Sequence, residues 1–275
     1  MFDANPAKIT ITASYAFFPL TQAEIVALQQ ELKIFGNERG MKGLVLIAPE
    51  GINSTVCGTT DAIAEWKVRM RILKNDIVFK DSHAERLVFR RWSVKMKPEL
   101  ITLKQPGIEP TGKHHHLTPH EWKRMMERDD VVIVDTRNWF EVAIGKFRNA
   151  IDPTIRCFQD FPDAIKASSI PKEKTVMLYC TGGIRCEKAV LTMEAQGYTN
   201  VYQLEGGILA YMEQYPHDAF EGECFVFDHR VALDQELQPS TTYHLCKQCG
   251  DPATKTACKS CTKKAEQADQ LVRRG

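Results

Sequence analysis

The chain has 275 residues, 43% of them apolar and 26% charged, with 36 basic and 35 acidic side chains and a net charge of +1. That apolar content excludes a largely disordered chain, and at about 100–200 residues per domain the length suits two domains. The even charge balance excludes a whole-molecule attraction to nucleic acid or membrane, so any such attraction has to come from a local patch.

No apolar run approaches about 18 residues, so no transmembrane helix is expected. The opening MFDANPAKITIT has neither a basic stretch nor a long apolar one and is not expected to be a secretory signal. Nine cysteines, an odd number, argue against a disulfide framework. The expectation is a cytoplasmic protein whose cysteines serve as ligands, nucleophiles or packing residues.

The first expected domain covers 1–98. KITITASYAFF reads as a strand, and Thr21 with Glu24 forms a capping box that opens a helix. Ile25, Leu28, Leu32 and Phe35 recur at helical spacing, and Gly36 is expected to stop the helix. KGLVLIAP and INSTVCG are two strands around a Pro-Glu-Gly turn. Ile63, Trp66, Met70 and Leu73 mark a second helix, and Glu85–Met96 reads as a last extended stretch. The order β-α-β-β-α-β is the ferredoxin-like, or acylphosphatase-like, pattern.

Residues 99–113 are rich in proline and glycine and read as a linker. His114, His115 and His116 lie at its end. Three adjacent side chains do not converge easily on one metal, so a solvated linker is expected there.

A second α/β domain is expected over 114–220. Thr118-Pro119 caps a helix. VVIV (131–134), TVMLY (175–179) and VYQL (201–204) are short apolar strands alternating with helical patterns, notably Ile184–Gln196. That alternation implies a parallel sheet. Sites in such sheets lie beyond the carboxyl ends of the strands, which directs attention to Asp135 and Cys180. Residues 221–275 form a C-terminal extension.

In Tyr179-Cys180-Thr181-Gly182-Gly183-Ile184-Arg185-Cys186 a strand ends, a cysteine follows, two glycines allow a tight turn and a helix begins. Backbone N–H groups of Thr181–Ile184 and the helix N-terminus then aim at the sulfur and favour its thiolate. Arg185 adds a fixed positive charge. The functional reading is a nucleophilic Cys180 at the mouth of a positively polarised pocket; the bland one is a buried structural cysteine. Cys186 suits either a resolving thiol or a small packing residue.

Here the chain resembles a known family. Asp135-Thr136-Arg137 followed by Glu141, Gly145 and Ala150-Ile151 resembles the first signature of a rhodanese domain. CTGGIRCEKA resembles the rhodanese active-site loop, and LEGGILAY (204–211) its closing helix. Four residues between Cys180 and Arg185 make a loop sized for a persulfide sulfur, whereas related phosphatases use one residue more. KGLVLIAPEGINSTVCGT and GECFVFDHR (222–230) extend the resemblance, over about residues 8–261, to the oxygen-dependent tRNA uridine hydroxylases. This resemblance implies conversion of uridine 34 in the tRNA anticodon loop to 5-hydroxyuridine, with molecular oxygen as co-substrate. It also implies that Cys180 is essential, as a thiolate or persulfide, with Asp135 and Arg137 supporting the loop. No haem attachment site, flavin fingerprint or nicotinamide motif stands in the sequence, and the electron donor is not legible there. The competing readings are a sulfurtransferase carrying a persulfide on Cys180 and a non-catalytic RNA-binding module.

Two further clusters bear on function. Arg86, Arg90, Arg91, Lys95 and Lys97, with Trp92 among them, suit phosphates and unpaired bases, or else a solvated edge strand protected by its charges. Cys246-x2-Cys249 and Cys258-x2-Cys261 are two hooks eight residues apart that suit a structural zinc; the bland alternative is a tail of reduced thiols. Cys57, Cys157 and Cys224 have no partner at ligand spacing and read as packing residues.

Overall fold

The computed structural model describes residues 9–112 and 114–262; Lys8 at the expected start of the first strand, Lys113 of the linker and the tail beyond Thr262 lie outside them. The chain divides into two compact units between His114 and His115.

The first unit runs β1 (Ile9–Phe17), α1 (Gln22–Glu38), β2 (Lys42–Ala48), β3 (Gly51–Gly58), α2 (Thr60–Leu73), β4 (Val78–Ala84) and β5 (Trp92–Met96). Its sheet has the order β4-β1-β3-β2-β5. The first four strands pair antiparallel as the ferredoxin-like pattern requires, and β5 adds parallel to β2. Thr21 and Glu24 cap α1 reciprocally, as expected. Ile25, Leu28 and Leu32 from α1 meet Ile63, Trp66 and Met70 from α2 over Val45, Ile47 and Val56.

Two boundaries differ from the sequence reading. The last ferredoxin-like strand is β4, not Glu85–Met96. VFKDSHA escapes notice because this edge strand has no fully buried position, so the apolar alternation is missing. Gly36 does not stop α1, which continues to Glu38. A Cβ on Gly36 would lie 2.1 Å from the Trp92 ring, so this glycine makes room for an indole inside the helix.

The second unit begins with β6 (His116–Leu117), α3 (Pro119–Met125), β7 (Val131–Asp135), α4 (Trp139–Val142) and β8 (Gly145–Phe147). A short 3-10 turn at Phe158–Asp160 leads into α5 (Phe161–Lys166), β9 (Thr175–Tyr179), α6 (Ile184–Ala195), β10 (Asn200–Leu204) and α7 (Gly207–Gln214). The extension adds β11 (Phe220–Gly222), β12 (Cys224–Phe225), β13 (Ala232–Leu233), β14 (His244–Leu245) and β15 (Pro252–Ala253). The sheet β6-β10-β9-β7 is parallel throughout. Every residue of β9 is buried, which explains its unbroken apolar run. Phe147 sits in the core with ring centroids of Tyr179 and Tyr211 both 4.8 Å away in edge-to-face contacts.

The histidine run is not a solvated linker. His116 belongs to β6, and its Nε2 lies 2.9 Å from the buried Glu187 carboxylate. His115 Nδ1 lies 3.1 Å from the Val201 carbonyl oxygen. Parallel pairing of β6 with β10 draws these residues into the sheet edge, a long-range contact that a two-residue strand does not announce. Among the described residues no helix is long and apolar enough to cross a membrane.

Candidate active site

Strand β9 delivers Cys180 and helix α6 begins at Ile184. Between them Gly183 takes φ +99°, a left-handed conformation that costs glycine little and points the following N–H groups back at the sulfur. The Gly183 N–H donates to Cys180 Sγ at 3.1 Å. Burial alone would push the Cys180 thiol up. The Cys186 thiol, the Arg185 charge and the N–H groups of Arg185 and Gly182 outweigh it and bring the value down to about 5. The surroundings of Cys180 thus favour its thiolate form. The cradle donors are Gly182, Gly183 and Arg185. The Thr181 hydroxyl donates to the Phe225 carbonyl at 3.4 Å, and Ile184 is half-buried at the start of α6.

The closing helix fits this loop through one glycine. Gly207 has φ +68°, and a Cβ there would lie 2.5 Å from the Cys180 carbonyl oxygen. With no side chain in the way, the Ile208 and Leu209 N–H groups reach the carbonyls of Cys180 and Thr181 at 3.0 and 3.2 Å.

Arg185 does not stand free in the loop. Its two terminal nitrogens donate to both oxygens of Glu141 at 2.6 and 2.8 Å, and both side chains are buried. Burial would lower the guanidinium's pKa, but Glu141 and the Cys180 sulfur raise it further, so the charge is permanent. Asp135 and Arg137 form a second buried pair, and Arg137 also donates to the Gly145 carbonyl at 2.6 Å. This pair ties the end of β7 to β8. Thr136 completes the support: its N–H and hydroxyl both donate to the Tyr179 carbonyl, at 3.0 and 2.9 Å, just before Cys180.

Cys186 is fully buried beside Cys180. Burial holds its thiol well above the ordinary cysteine range, and the adjoining sulfur anion raises it further. The Cys186 thiol therefore keeps its proton next to Cys180. Thr136 Oγ1 lies 3.7 Å from the Cys186 sulfur.

The sequence reading placed the sulfur at an open mouth. Cys180 is instead 1% exposed. The hairpin of β12 and β13 leans on the cradle through the Thr181–Phe225 hydrogen bond, and the Phe227 ring lies 5.8 Å from the Arg185 guanidinium carbon. Sequence reasoning missed Glu141 and Phe227 as site residues. The Asn138-x-x-Glu141 spacing, with the Asn138 N–H on Glu141 Oε1 at 3.1 Å, was the available signal for the first.

In the first unit Arg86, Arg90, Arg91, Lys95 and Lys97 are all exposed. Trp92 does not join them as a stacking surface. Its indole N–H donates to the Leu32 carbonyl at 3.0 Å and its ring meets Trp66 edge-on at 5.7 Å, so it packs inward.

At the C-terminal end β14 and β15 form a hairpin whose turn carries Cys246 and Cys249. The ligand atoms of Cys246, Cys249, Cys258 and Cys261 all lie within 4.8 Å of one another, with Sγ–Sγ separations of 3.8 Å for Cys246–Cys261 and 3.5 Å for Cys249–Cys258. A tetrahedral site with metal–sulfur bonds of about 2.3 Å has edges of about 3.8 Å, so the four thiols fit one metal ion. N–H groups of Cys249 and Gln248 bring Cys246 down to about 6, which favours the ligating thiolate.

A sulfur anion held by backbone amides between a parallel strand and a helix, with a neighbouring arginine locked by a carboxylate, defines a rhodanese-type domain. Residues 118–214 match the rhodanese-like domain family, and 9–100 match the UPF0176 acylphosphatase like domain. The tRNA uridine(34) hydroxylase of Bdellovibrio bacteriovorus is 48% identical over 91% of this chain and 73% of its own length. That of Prochlorococcus marinus is 39% identical over 89% of this chain and 82% of its own. A rhodanese-like domain protein from Staphylococcus aureus of known crystal structure is 33% identical over 35% of this chain and 90% of its own, with a TM-score of 0.31. The chain belongs to the tRNA uridine(34) hydroxylase family.

Proposed function

We propose that this protein hydroxylates uridine 34 of tRNA to 5-hydroxyuridine, with molecular oxygen as oxidant and Cys180 as nucleophile, in the cytoplasm. The observation that carries this reading is the Cys180 thiolate, brought to about 5 inside a cradle of amides. Uracil is a conjugated enone. A thiolate that adds at C6 pushes electron density to C5, the carbon that gains oxygen. Hydroxylation by dioxygen puts one oxygen atom on the base and the other into water, which consumes two electrons and two protons from a donor outside this chain. Loss of the C5 proton and departure of the Cys180 sulfur then restore the aromatic base and the thiolate. The nearby Cys186 thiol and the Arg185 charge support the second departure, because both favour the sulfur as an anion.

The exposed basic residues of the first unit support a role in holding the anticodon arm by its phosphates. Zinc is the metal proposed for the four cysteines: with every position filled by protein sulfur, it would be structural. The low thiolate pKa equally suits a persulfide carrier, and that second reading predicts thiosulfate turnover by the purified protein with uridine 34 unchanged in a deletion strain.

The test is growth of wild-type and gene-deletion cells under 18O2, followed by mass spectrometry of tRNA nucleosides. The proposal expects 5-hydroxyuridine, or nucleosides built on it, two mass units heavier in wild type and absent from the deletion. Normal modification in the deletion, or oxygen drawn from water, overturns it.

A further inference from the structure

We infer that Phe227 is the platform on which the target uracil stacks as it is presented to Cys180, an inference that rests on the reading of Cys180 as the nucleophile toward that base. Phe227 is 62% exposed, while its neighbours Phe225 and Val226 are each 6% exposed. The hairpin therefore anchors itself with the flanking apolar side chains and leaves this one ring outside. Exposed phenylalanines are common singly, so position and rigidity decide the matter.

The position is specific. The ring lies 5.8 Å from the guanidinium carbon of Arg185, and Arg185 is one of the groups that stabilise the Cys180 anion. The other side of the hairpin touches the cradle directly, through the Thr181 hydroxyl on the Phe225 carbonyl. Phe227 is thus an exposed aromatic ring next to Arg185, the residue whose charge acts on the buried Cys180 sulfur.

The loop that carries the ring is rigid. Asp228 and Arg230 form a forked ion pair, with the Arg230 nitrogens at 2.6 to 3.1 Å from the carboxylate and both side chains buried. The Arg230 N–H also donates to Asp228 Oδ1 at 2.9 Å, and the Val226 N–H donates to the Val231 carbonyl at 2.9 Å. Val231 holds φ +65°, a left-handed conformation unfavourable for a β-branched residue. Strain held in place by surrounding bonds is a recurrent feature of segments that position a ligand. Phe225 and Phe227 meet in a T-shaped contact with ring centroids 4.9 Å apart, which helps to fix the tilt of the exposed ring.

The ligand chemistry follows. A base lifted out of an RNA loop loses its stacking neighbours and needs a replacement π surface. Base–aromatic stacking is tolerant of base identity, so Phe227 would supply affinity while selection of uracil lies elsewhere. Arg185 lies over one face of the ring, its guanidinium carbon 5.8 Å from the ring centroid, so a base would stack on the other face.

The test complements the deletion strain with wild type, Phe227→Ala, Phe227→Leu and Phe227→Trp and measures hydroxylated uridine 34. The purified variants are compared in thermal midpoint and in the pH profile of Cys180 alkylation. In parallel, an anticodon stem-loop with 5-iodouridine at position 34 is photo-crosslinked to the wild-type protein and the linked residue found by peptide mass spectrometry. The expected result is a crosslink at Phe227 and a loss of about 5- to 150-fold for Ala and Leu, the range that removal of one base–aromatic stack gives. Trp should retain modification, and neither thermal midpoint nor alkylation profile should move. Full activity of Phe227→Leu, or a shifted alkylation profile in Phe227→Ala, makes the ring a cover for the cradle and overturns the inference. A crosslink confined to other residues, with Cys180-dependent hydroxylation intact, overturns it while leaving the proposed function standing. Wild type that fails to restore hydroxylation removes the underlying reading instead.

Discussion

Glu141 holds Arg185 through both terminal guanidinium nitrogens, at 2.6 and 2.8 Å, with the carboxylate fully buried. The arginine beside the Cys180 sulfur is thereby fixed in place by a residue on α4, 44 positions earlier in the chain. Removing one partner of a buried pair leaves a charge without compensation and costs about 3–5 kcal/mol. Glu141→Ala should therefore lower the unfolding free energy by that order, read as a lower urea midpoint at unchanged slope, and abolish activity, and Glu141→Asp should recover part of both. An unchanged midpoint in Glu141→Ala would deny the pair its structural role.

The buried Cys186 thiol helps to lower the pKa of Cys180. Cys186→Ala should move the midpoint of Cys180 alkylation up from about 5, whereas Cys186→Ser keeps a donor and should stay nearer the wild-type profile. Iodoacetamide rates against pH, with Cys180→Ala as blank, read this directly. The same shift has a stability consequence. Between the folded value of about 5 and the unfolded cysteine value of about 8.5, the unfolded chain binds a proton that the folded chain has released. The Cys180 contribution to stability therefore rises with pH across that window. It is complete above the upper value and lost below the lower one. Above about 8.5 the raised Cys186 acts in the opposite sense, because the folded state retains a proton the unfolded state gives up.

Trp92 and its basic neighbours separate cleanly by experiment. Arg90→Glu with Arg91→Glu should weaken tRNA binding and flatten its salt dependence, by about 0.7–0.9 in slope for each phosphate left without its cation. The thermal midpoint should barely move, since both side chains are exposed. Trp92→Ala should instead destabilise the first unit by about 3–5 kcal/mol, the usual cost of emptying a packed aromatic site. Filter binding across a salt series and thermal melts distinguish the two.

The four C-terminal thiols should hold about one metal ion per chain, found as zinc by elemental analysis. Cys249→Ser with Cys258→Ser should abolish that metal and expose the 244–262 segment to protease, while Cys180 alkylation at neutral pH continues. Protein with full occupancy after that substitution would place the metal elsewhere.

Legibility followed local chemistry. The cradle could be read because Cys180, the glycines and Arg185 are contiguous, and turn and helix-start preferences are local. The Thr118 and Thr21 capping boxes were visible for the same reason. β4 was hidden because an edge strand with no fully buried position has no apolar alternation, and the role of Gly36 depended on an indole 56 residues away. Glu141, the burial of Cys186 and the exposed Phe227 ring required the folded chain, because each depends on tertiary packing. Burial of Cys180 was missed because the sequence does not show the β12–β13 hairpin leaning on the loop.

The central claim is that the Cys180 sulfur performs the chemistry on uridine 34. The most direct measurement is nucleoside mass spectrometry of tRNA from the deletion strain complemented with wild type or with Cys180→Ala, at matched protein levels. The account predicts hydroxylated uridine 34 with wild type and none with Cys180→Ala. Equal hydroxylation in the two would contradict it.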